Sequence, residues 1–483
     1  MSKFYVTTPI YYVNSKPHIG HAYTTIAADV LARNASLANQ EPFFVTGSDE
    51  NSLKNVEAAQ AADKPIKEFI DELAGVWAKA WDDLGIKYDT FIRTSQPRHI
   101  AGVLKFWETV KASGDLYKGT YEGLYCPGCE AFVVESDLEN GECPSHLRRP
   151  DTVKEDNYFF KASKYKQQLL DHIEANPDFI EPKARRNEVI AYIKEHFGNI
   201  SVSRQALEWG IPVPDEPDQV IYVWFDALIN YLTAVGYGWN EELFEKQWPA
   251  DLHLVGKDII KFHCALWPAM LMSAGLPLPK KVFAHGFFTV DGQKIGKSLG
   301  NAIDPLHIAE EYGNEAFRYY LFSRIPFGSD GDFSFKQLRE CYDADLANTL
   351  GNLASRVAGM SVKYCNGRID TSPEDIKTYG RASDQWLSGI RELTAACHFK
   401  AALGDILEQA RKLNKAIEDA KPWVMFKEGD TQQVRDFLGL LAYNLVYIGY
   451  AINPYLPETG RKLAKIFSQQ EVSKLAPLFP KKV

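Results

Sequence analysis

Two short β-rich runs, FYVTT at residues 4–8 and FFVTGS at 43–48, bracket the stretch HIGHAYTTIAADVLARNASLA, where Ile19, Tyr23, Ile26, Val30 and Leu37 recur near helical spacing. Strand, helix, strand in that order is a βαβ unit, which commits this part of the chain to a parallel sheet with helices on its faces. Further helical stretches follow at 64–84 and 97–113, and the pattern then breaks at SGDLYKGTYEGLYCPGCEAF. Strand-like DLHLVG (251–256) and KVFAHGFF (281–288), separated by the helical DIIKFHCALWPAMLMSAG, resume the alternation. The residues between therefore read as an insert in a split α/β sheet. From about residue 336 the patterns are helical, in QLRECYDADLANTLGNLASRVAGMSVKY, ASDQWLSGIRELTAACHFKAALGDILEQARKLNKAIEDA and TQQVRDFLGLLAYNLVYIGYAI, and predict an all-α bundle.

A chain of 483 residues exceeds what one hydrophobic core supports, so two or three domains are expected. Acidic residues outnumber basic ones by 63 to 54, which argues against a protein that coats nucleic acid through bulk charge. Residues 331–483 nevertheless carry 21 basic against 18 acidic residues, so any contact with a polyanion is expected towards the C-terminus. The opening MSKFYVTTPIYYVN has neither the apolar core of a secretion signal nor the Arg-rich bias of a transit peptide. The longest apolar run, LGLLAYNLVYIGYAI at 438–452, is too short to span a membrane and contains Asn444 and three tyrosines. A buried helix, no membrane and a cytoplasmic location are the expectations. Seven cysteines, an odd number without a secretion signal, predict a reducing compartment rather than a disulfide framework.

Three segments carry chemistry. In TTPIYYVNSKPHIGHAY, Asn14 or Ser15 is expected to cap a helix with Pro17 in its first turn, so that His18 to His21 occupy the opening turn. Unpaired backbone N–H groups there attract phosphate, and Gly20 leaves room for a flat ring or a phosphate near the backbone. His18 and His21, three apart, share one side of the turn. Taken alone, an H-x-x-H pair is more often two packing or surface histidines. In HGFFTVDGQKIGKSLGNAIDP, Lys294, Lys297 and Ser298 sit in a Gly-flanked loop, where two mobile ammonium groups suit a leaving polyphosphate and a solvated lysine turn is the plain alternative. In CPGCEAFVVESDLENGECPSH, Cys126, Cys129, Cys143 and His146 form C-x2-C-x13-C-x2-H, a pattern for one tetrahedral Zn2+ whose four protein ligands leave no open catalytic position.

The combination of strand, HIGH turn and K-x-x-K-S loop in a split α/β sheet resembles the class I aminoacyl-tRNA synthetases, whose HIGH and KMSKS signatures these match. Collinear blocks TTPIYYVN, FVTGSDEN, YVWFDALINYL, HLVGKDIIKFHCALWPAML, AHGFFTVDG and RYYLFSRIPFGSDGDFS narrow the resemblance to the methionyl-tRNA synthetase family. Two departures stand out. Ile295 and Gly296 replace the Met and first Ser of KMSKS, and Asn51-Ser52 replaces the family's usual His-Gly after Asp-Glu.

The resemblance implies a Rossmann-like catalytic sheet split by a zinc-knuckle connective insert and followed by the α-helical bundle. The expected domains are 1–115 (first catalytic half), 116–220 (insert), 221–285 (second half), 286–345 (KMSKS-type loop and stem-contact region) and 346–483 (anticodon-binding bundle). It implies ATP-dependent activation of L-methionine to methionyl-adenylate, then transfer to the terminal adenosine of tRNA(Met), with Mg2+ accompanying ATP and one structural Zn2+. His18, His21, Lys294 and Lys297 would be catalytic. ATP would contact His18, Gly20, His21, Gly256, Asp258, Lys294, Lys297 and Ser298. Methionine would be held by Pro9, Ile10, Tyr12, Asp49, Trp224, Ala227, Leu228, Tyr231 and His285. Cys126, Cys129, Cys143 and His146 would bind zinc, and Asn352, Arg356 and Trp423 would read the anticodon. The chain ends soon after the bundle, at PLFPKKV, so a monomer is expected. Two rival readings are an adenylate-forming enzyme acting on a small acyl substrate without tRNA, and a non-enzymatic RNA-binding translation factor.

Overall fold

The computed structural model describes residues 2–128, 131–133, 135, 138–144, 148–205, 208–290, 292–294, 303–369 and 373–482. The chain divides into two compact units, one of residues 1–28 and 41–285, the other of 29–40 and 286–483.

In the first unit, β1 (Lys3–Tyr12), the first part of helix α1 (Ile19–Leu37, whose residues from Asp29 on belong to the second unit), β2 (Glu41–Asp49), α2 (Leu53–Ala61), α3 (Ile66–Asp83), β3 (Thr90–Arg93) and α4 (Pro97–Ala112) follow in order. The insert supplies β4 (Leu116–Cys126), β5 (Ala131–Val133), β6 (Asp151–Phe160), α5 (Lys166–Ala175), β7 (Ile180–Glu181), α6 (Lys183–Glu195) and the short strands β8 (Ile200–Ser201), β9 (Ser203–Arg204), β10 (Pro212–Val213) and β11 (Glu216–Ile221). Helices α7 (Val223–Leu228), α8 (Asn230–Thr233) and α9 (Glu241–Gln247), strand β12 (Leu252–Gly256), helix α10 (Trp267–Ser273) and strand β13 (Val282–His285) complete the unit.

The main sheet has the order β3-β2-β1-β12-β13-β7, and every pairing in it is parallel. Strand β1 pairs with β12 across almost the whole unit, Val6 opposite Leu252 and Thr7 opposite His253. The insert is more than a detour, because its strand β7 returns to the sheet and pairs with β13. The other strands of the insert form two antiparallel sheets, β5-β4-β6-β8 and β10-β11-β9. Helix α1 is buried on nearly every side from Ala22 to Ala35, which its alanines at 22, 27, 28, 32 and 35 permit by letting neighbours approach closely.

Local structure departs from the sequence reading in three places. The first is the start of α1, which lies at Ile19 rather than near Asn14 or Ser15, so Pro17 precedes the helix instead of opening it. Secondly, the stretch expected to run helically from 382 to 420 is broken at Cys397, whose φ of 59° ends one helix before another begins. Finally, the helical segment after β12 is not uniform: a 3₁₀ turn at Lys257–Ile259 and a π-turn at Phe262–Leu266 precede α10.

The second unit contains β14 (Phe288–Val290), β15 (Gln293–Lys294), α11 (Pro305–Tyr312), α12 (Asn314–Ser323), β16 (Gly331–Phe333), α13 (Phe335–Cys341), a π-helical stretch Tyr342–Gly351, and helices α14 (Asn352–Cys365), α15 (Pro373–Ala395), α16 (Phe399–Ala420), α17 (Pro422–Lys427), α18 (Thr431–Ile452) and α19 (Pro457–Phe467). Arg318 of α12 is buried with no charge-neutral alternative, and it pairs with the buried carboxylate of Asp29. Its Nε also donates to the Tyr455 carbonyl at 2.8 Å and its Nη2 to the Pro454 carbonyl at 3.1 Å. Burial presses the Arg318 pKa down from its usual value, and Asp29 opposes that shift. Arg318→Leu takes this buried partner from Asp29, and a loss of roughly 3 kcal/mol in guanidinium denaturation is the expected outcome.

Candidate active site

In a parallel sheet all strands end at the same edge, and here that edge gathers Ile10 and Tyr12 from β1, Asp49 from β2, Gly256 from β12 and His285 from β13. Tyr12 and Asp49 are register partners, as are Gly256 and His285. The chain runs outward from β1 through β2 and β3, then resumes on the other side through β12 and β13. A crevice therefore opens at the carboxyl ends of β1 and β12, where connections leave in opposite directions and open α/β sheets take their ligands. Pairing with β2 slips by one residue between Thr7 and Ile10, a bulge that contains Pro9. Proline has no N–H to give a ladder, and the bulge re-aims the residues after it.

The two histidines after β1 form a reciprocal cap. His18 precedes the helix, and its carbonyl accepts from His21 N at 3.0 Å and Ala22 N at 3.2 Å. Its ring Nδ1 accepts the Gly20 N–H at 3.0 Å, while the His21 Nδ1 accepts the His18 N–H at 3.1 Å. The pattern is that of a capping box with imidazoles in place of the usual hydroxyl and carboxylate. This corrects the expectation of free backbone donors at this turn, because two of them are taken by the histidine rings. A neutral imidazole that accepts at Nδ1 carries its proton at Nε2, so both rings are fixed as Nε2–H donors. The rings lie 3.7 Å apart between centroids. Gly20 is required for this arrangement, since a Cβ there would meet His18 Cε1 at 2.9 Å. Tyr11 and Trp77, which the sequence reading did not single out, wall in the His21 ring at 5.1 and 4.8 Å, and Tyr11 stacks on Trp77. Burial pushes the Tyr11 hydroxyl up to about 12, so it stays protonated and donates.

A second group lines α7 and α8. Ala227, Leu228 and Tyr231 are buried, and the half-buried Trp224 stacks on Phe262 with centroids 3.8 Å apart and planes 4° from parallel. Phe262 and His263 open the π-turn, a widened turn that recurs at functional sites. His263 Nδ1 faces the Ile259 carbonyl at 3.0 Å and so carries a proton there, which leaves Nε2 to accept from the Tyr231 hydroxyl at 2.7 Å. His263 was missed from sequence because 32 residues separate it from Tyr231. His285, the imidazole that was nominated, instead meets Thr24 Oγ1 at 2.6 Å and packs edge-on to Tyr23. Asp49 is buried at the end of β2, with the Asn51 N–H at 3.4 Å from its Oδ1. Asp258 is exposed on the turn after Gly256.

Of the remaining nominated residues, Cys126 and Cys143 are buried, whereas Cys129 and His146 lie outside the described residues. Cys126 pairs with Ala131, and Cys143 with Arg148. In the second unit, β15 brings Lys294 opposite Thr289 of β14, and the hairpin is tied down by Asp332, which accepts from Gly292 N at 2.8 Å and Thr289 Oγ1 at 2.6 Å. Lys297 and Ser298, with Ile295 and Gly296, lie outside the described residues. Asn352 is exposed at the start of α14, and Arg356 one turn on pairs with Glu418 at 2.6 Å. Trp423 is half-buried on α17, directly after Lys421 in the left-handed conformation and Pro422.

Sheet order, crevice and paired imidazole donors at a helix start define an α/β enzyme of the nucleotide-binding kind. The family model described as tRNA synthetases class I (M) matches residues 4–151 and 136–358, and the chain belongs to that family. Relatives carrying the name Methionine--tRNA ligase include that of Thermotoga maritima, 47% identical over 97% of this chain and 76% of the relative, and that of Nostoc sp., 42% identical over 95% and 89%. Among solved structures, the Mycobacterium tuberculosis methionyl-tRNA synthetase in complex with methionyl-adenylate matches with a TM-score of 0.95 at 37% identity, covering 99% of this chain and all of that one. The apo form of the same enzyme matches with a TM-score of 0.86 at 34% identity, covering 100% of this chain and 99% of that one.

The buried His263 also gives this site a pH signature. Burial lowers its pKa from 6.5 to about 4, so the folded ring stays neutral while the unfolded one protonates as pH falls below 6.5. Stability is therefore lost from pH 6.5 down to 4, by about 2 kcal/mol between pH 7 and pH 5 from this ring. Urea denaturation of His263→Asn at those two pH values is expected to give a correspondingly smaller difference than the parent protein.

Proposed function

We propose that the protein activates L-methionine with ATP and transfers it to tRNA(Met), the reaction of a methionine–tRNA ligase. In the first step a methionine carboxylate oxygen bonds to the α-phosphorus of ATP as the bond to the bridging oxygen breaks and pyrophosphate leaves. In the second, a ribose hydroxyl of the tRNA's terminal adenosine attacks the acyl carbon, loses its proton, and AMP departs. The observation that supports this reading above all is 47% identity to a Methionine--tRNA ligase over 97% of the chain, with the reciprocal histidine cap at the carboxyl edge of the sheet.

Negative charge builds on the phosphoryl oxygens during activation, so catalysis is largely fixed donors and correct positioning. The Nε2–H groups of His18 and His21 donate to those oxygens, their rings held by Nδ1 at no further ordering cost. Lys294 and Lys297 neutralise the departing pyrophosphate, and Ser298 binds beside them. Mg2+ accompanying the nucleotide would help to neutralise the charge of its phosphates. Adenosine lies along Gly20, Gly256 and Asp258. The Asp49 carboxylate takes the methionine ammonium, while Pro9, Ile10, Tyr12, Trp224, Ala227, Leu228, Tyr231 and His285 enclose the side chain. A methylene-sized difference from competing amino acids yields only about 1–3 kcal/mol, so shape in this pocket limits selectivity.

Cys126, Cys129, Cys143 and His146 hold a structural Zn2+. The fit rests on Cys126 and Cys143 each standing at a strand pairing, with Ala131 and Arg148, and on the second ligand of each pair following three positions later in the sequence. With four protein ligands such an ion would have no open position, so it would organise the insert and take no part in the reaction. Asn352, Arg356 and Trp423 contact the anticodon, where amide groups, guanidinium planes and indole rings suit unstacked bases. Every residue nominated for activation comes from a single chain, so a monomer suffices. A cytoplasmic location belongs to the same proposal; no helix among the described residues is long and apolar enough to cross a membrane.

Methionine-dependent ATP–pyrophosphate exchange followed by charging of unfractionated tRNA tests the whole reading. Absence of exchange favours an RNA-binding factor, and exchange without charging favours an adenylate-forming enzyme that needs no tRNA. Within this scheme, His21→Ala and Lys297→Ala are each expected to slow exchange by roughly 3 kcal/mol of transition-state stabilisation with methionine affinity nearly intact. Trp423→Ala is expected to leave exchange unchanged and to lower charging. Chelation of zinc is expected to unfold the insert, since such an ion contributes on the order of 10 kcal/mol, and loss of one zinc per chain by elemental analysis should accompany the loss of folded signal.

A further inference from the structure

Asn51 occupies one of the two positions where the chain departs from its family's usual His-Gly. Its side-chain Nδ2 donates to Asp226 Oδ2 at 2.7 Å, joining the end of β2 to α7 across 175 residues of sequence. The other oxygen of Asp226 faces His99 Nε2 at 2.7 Å, and His99 Nδ1 meets Thr233 Oγ1 at 2.8 Å. Asp226, His99 and Thr233 are wholly buried and Asn51 is 7% exposed, so these groups act on one another and not on solvent. A carboxylate so buried depends on every donor it has, and a charge-assisted hydrogen bond is the strong kind.

The placement of this contact gives it a consequence for binding. Two residues before Asn51 lies Asp49, and the Asn51 backbone N–H reaches its carboxylate. Asn55 Nδ2 fixes the Asp49 carbonyl at 2.8 Å. On the other side, Asp226 lies on the same six-residue helix as Trp224, Ala227 and Leu228. Asn51 thus ties the wall that takes the substrate ammonium to the wall that takes its side chain. Ser52 has a separate task, its hydroxyl accepting Lys54 N at 3.1 Å to cap α2.

We infer that Asn51 is a positioning residue for the amino acid substrate, donating to Asp226 and so setting the distance between Asp49 and α7. The inference rests on the methionine site of the preceding section. It acts on methionine and leaves ATP aside, because none of its contacts involves His18, His21, Gly256 or Asp258.

The test is ATP–pyrophosphate exchange in the full-length enzyme, with methionine and ATP varied separately. Asn51→Ala is expected to raise the methionine KM about tenfold, with the ATP KM and kcat within twofold of the parent. Asn51→Asp has the same volume but sets a second carboxylate against Asp226, and is expected to raise the methionine KM at least as much. Asn51→His restores an N–H donor and is expected to recover a methionine KM within about threefold of the parent. A methionine KM within twofold of the parent in the folded Ala or Asp variant overturns the inference, as does an equal rise in both KM values or a His variant no better than Ala. If the parent enzyme itself shows no methionine-dependent exchange, the proposed function falls, and this inference with it.

Discussion

The pairing of β1 with β12 is the constraint on which the first unit depends. Val6 and Thr7 meet Leu252 and His253, so a long stretch of chain must be folded away before the sheet can close. Loop closure over such a distance grows only slowly more costly with length, whereas each strand added to a buried parallel sheet removes apolar surface from water on both faces. The insert reinforces the closure by contributing β7 beyond β13. Because β1 is where the chain turns from one side of the sheet to the other, the crevice and the residues around it are consequences of that single pairing.

At that crevice the backbone and the side chains proposed to act in catalysis are not separable. The ring nitrogens that cap α1 are those of the histidines proposed to bind phosphate, and the cap dictates which nitrogen carries the proton. Gly20 is there for want of room, not for unusual dihedral angles. On the facing wall the π-turn at Phe262–Leu266 does comparable work, setting Phe262 against Trp224 and His263 against Tyr231. Both histidine environments use one ring nitrogen to fix the other.

Much of the fold was legible. The βαβ start, the split sheet and the helical C-terminal region follow from apolar periodicity, and the family signatures are short because phosphate binding needs particular groups on adjacent residues. The cap of α1 was not legible: Asn14, Ser15 and Pro17 are good cap formers by type, yet the imidazoles of His18 and His21 supply the acceptors. The break at Cys397 was equally hidden, since a left-handed cysteine leaves no mark in composition. Tyr11 and Trp77 read as ordinary core aromatics, and only their packing against His21 gives them a place in the site.

By itself the sequence determined the order of elements, the family and the residues proposed to lie near the reacting phosphates, because periodicity and short motifs act over a few neighbouring positions. Tertiary structure alone decided which distant groups complete one another. Asn51 with Asp226, Tyr231 with His263, and His285 with Thr24 join residues 32 to 261 positions apart. Each partner is unremarkable by type. A buried donor or acceptor must find its complement wherever folding brings one within about 3 Å, and that distance is set by the packing of strands and helices, not by spacing along the chain.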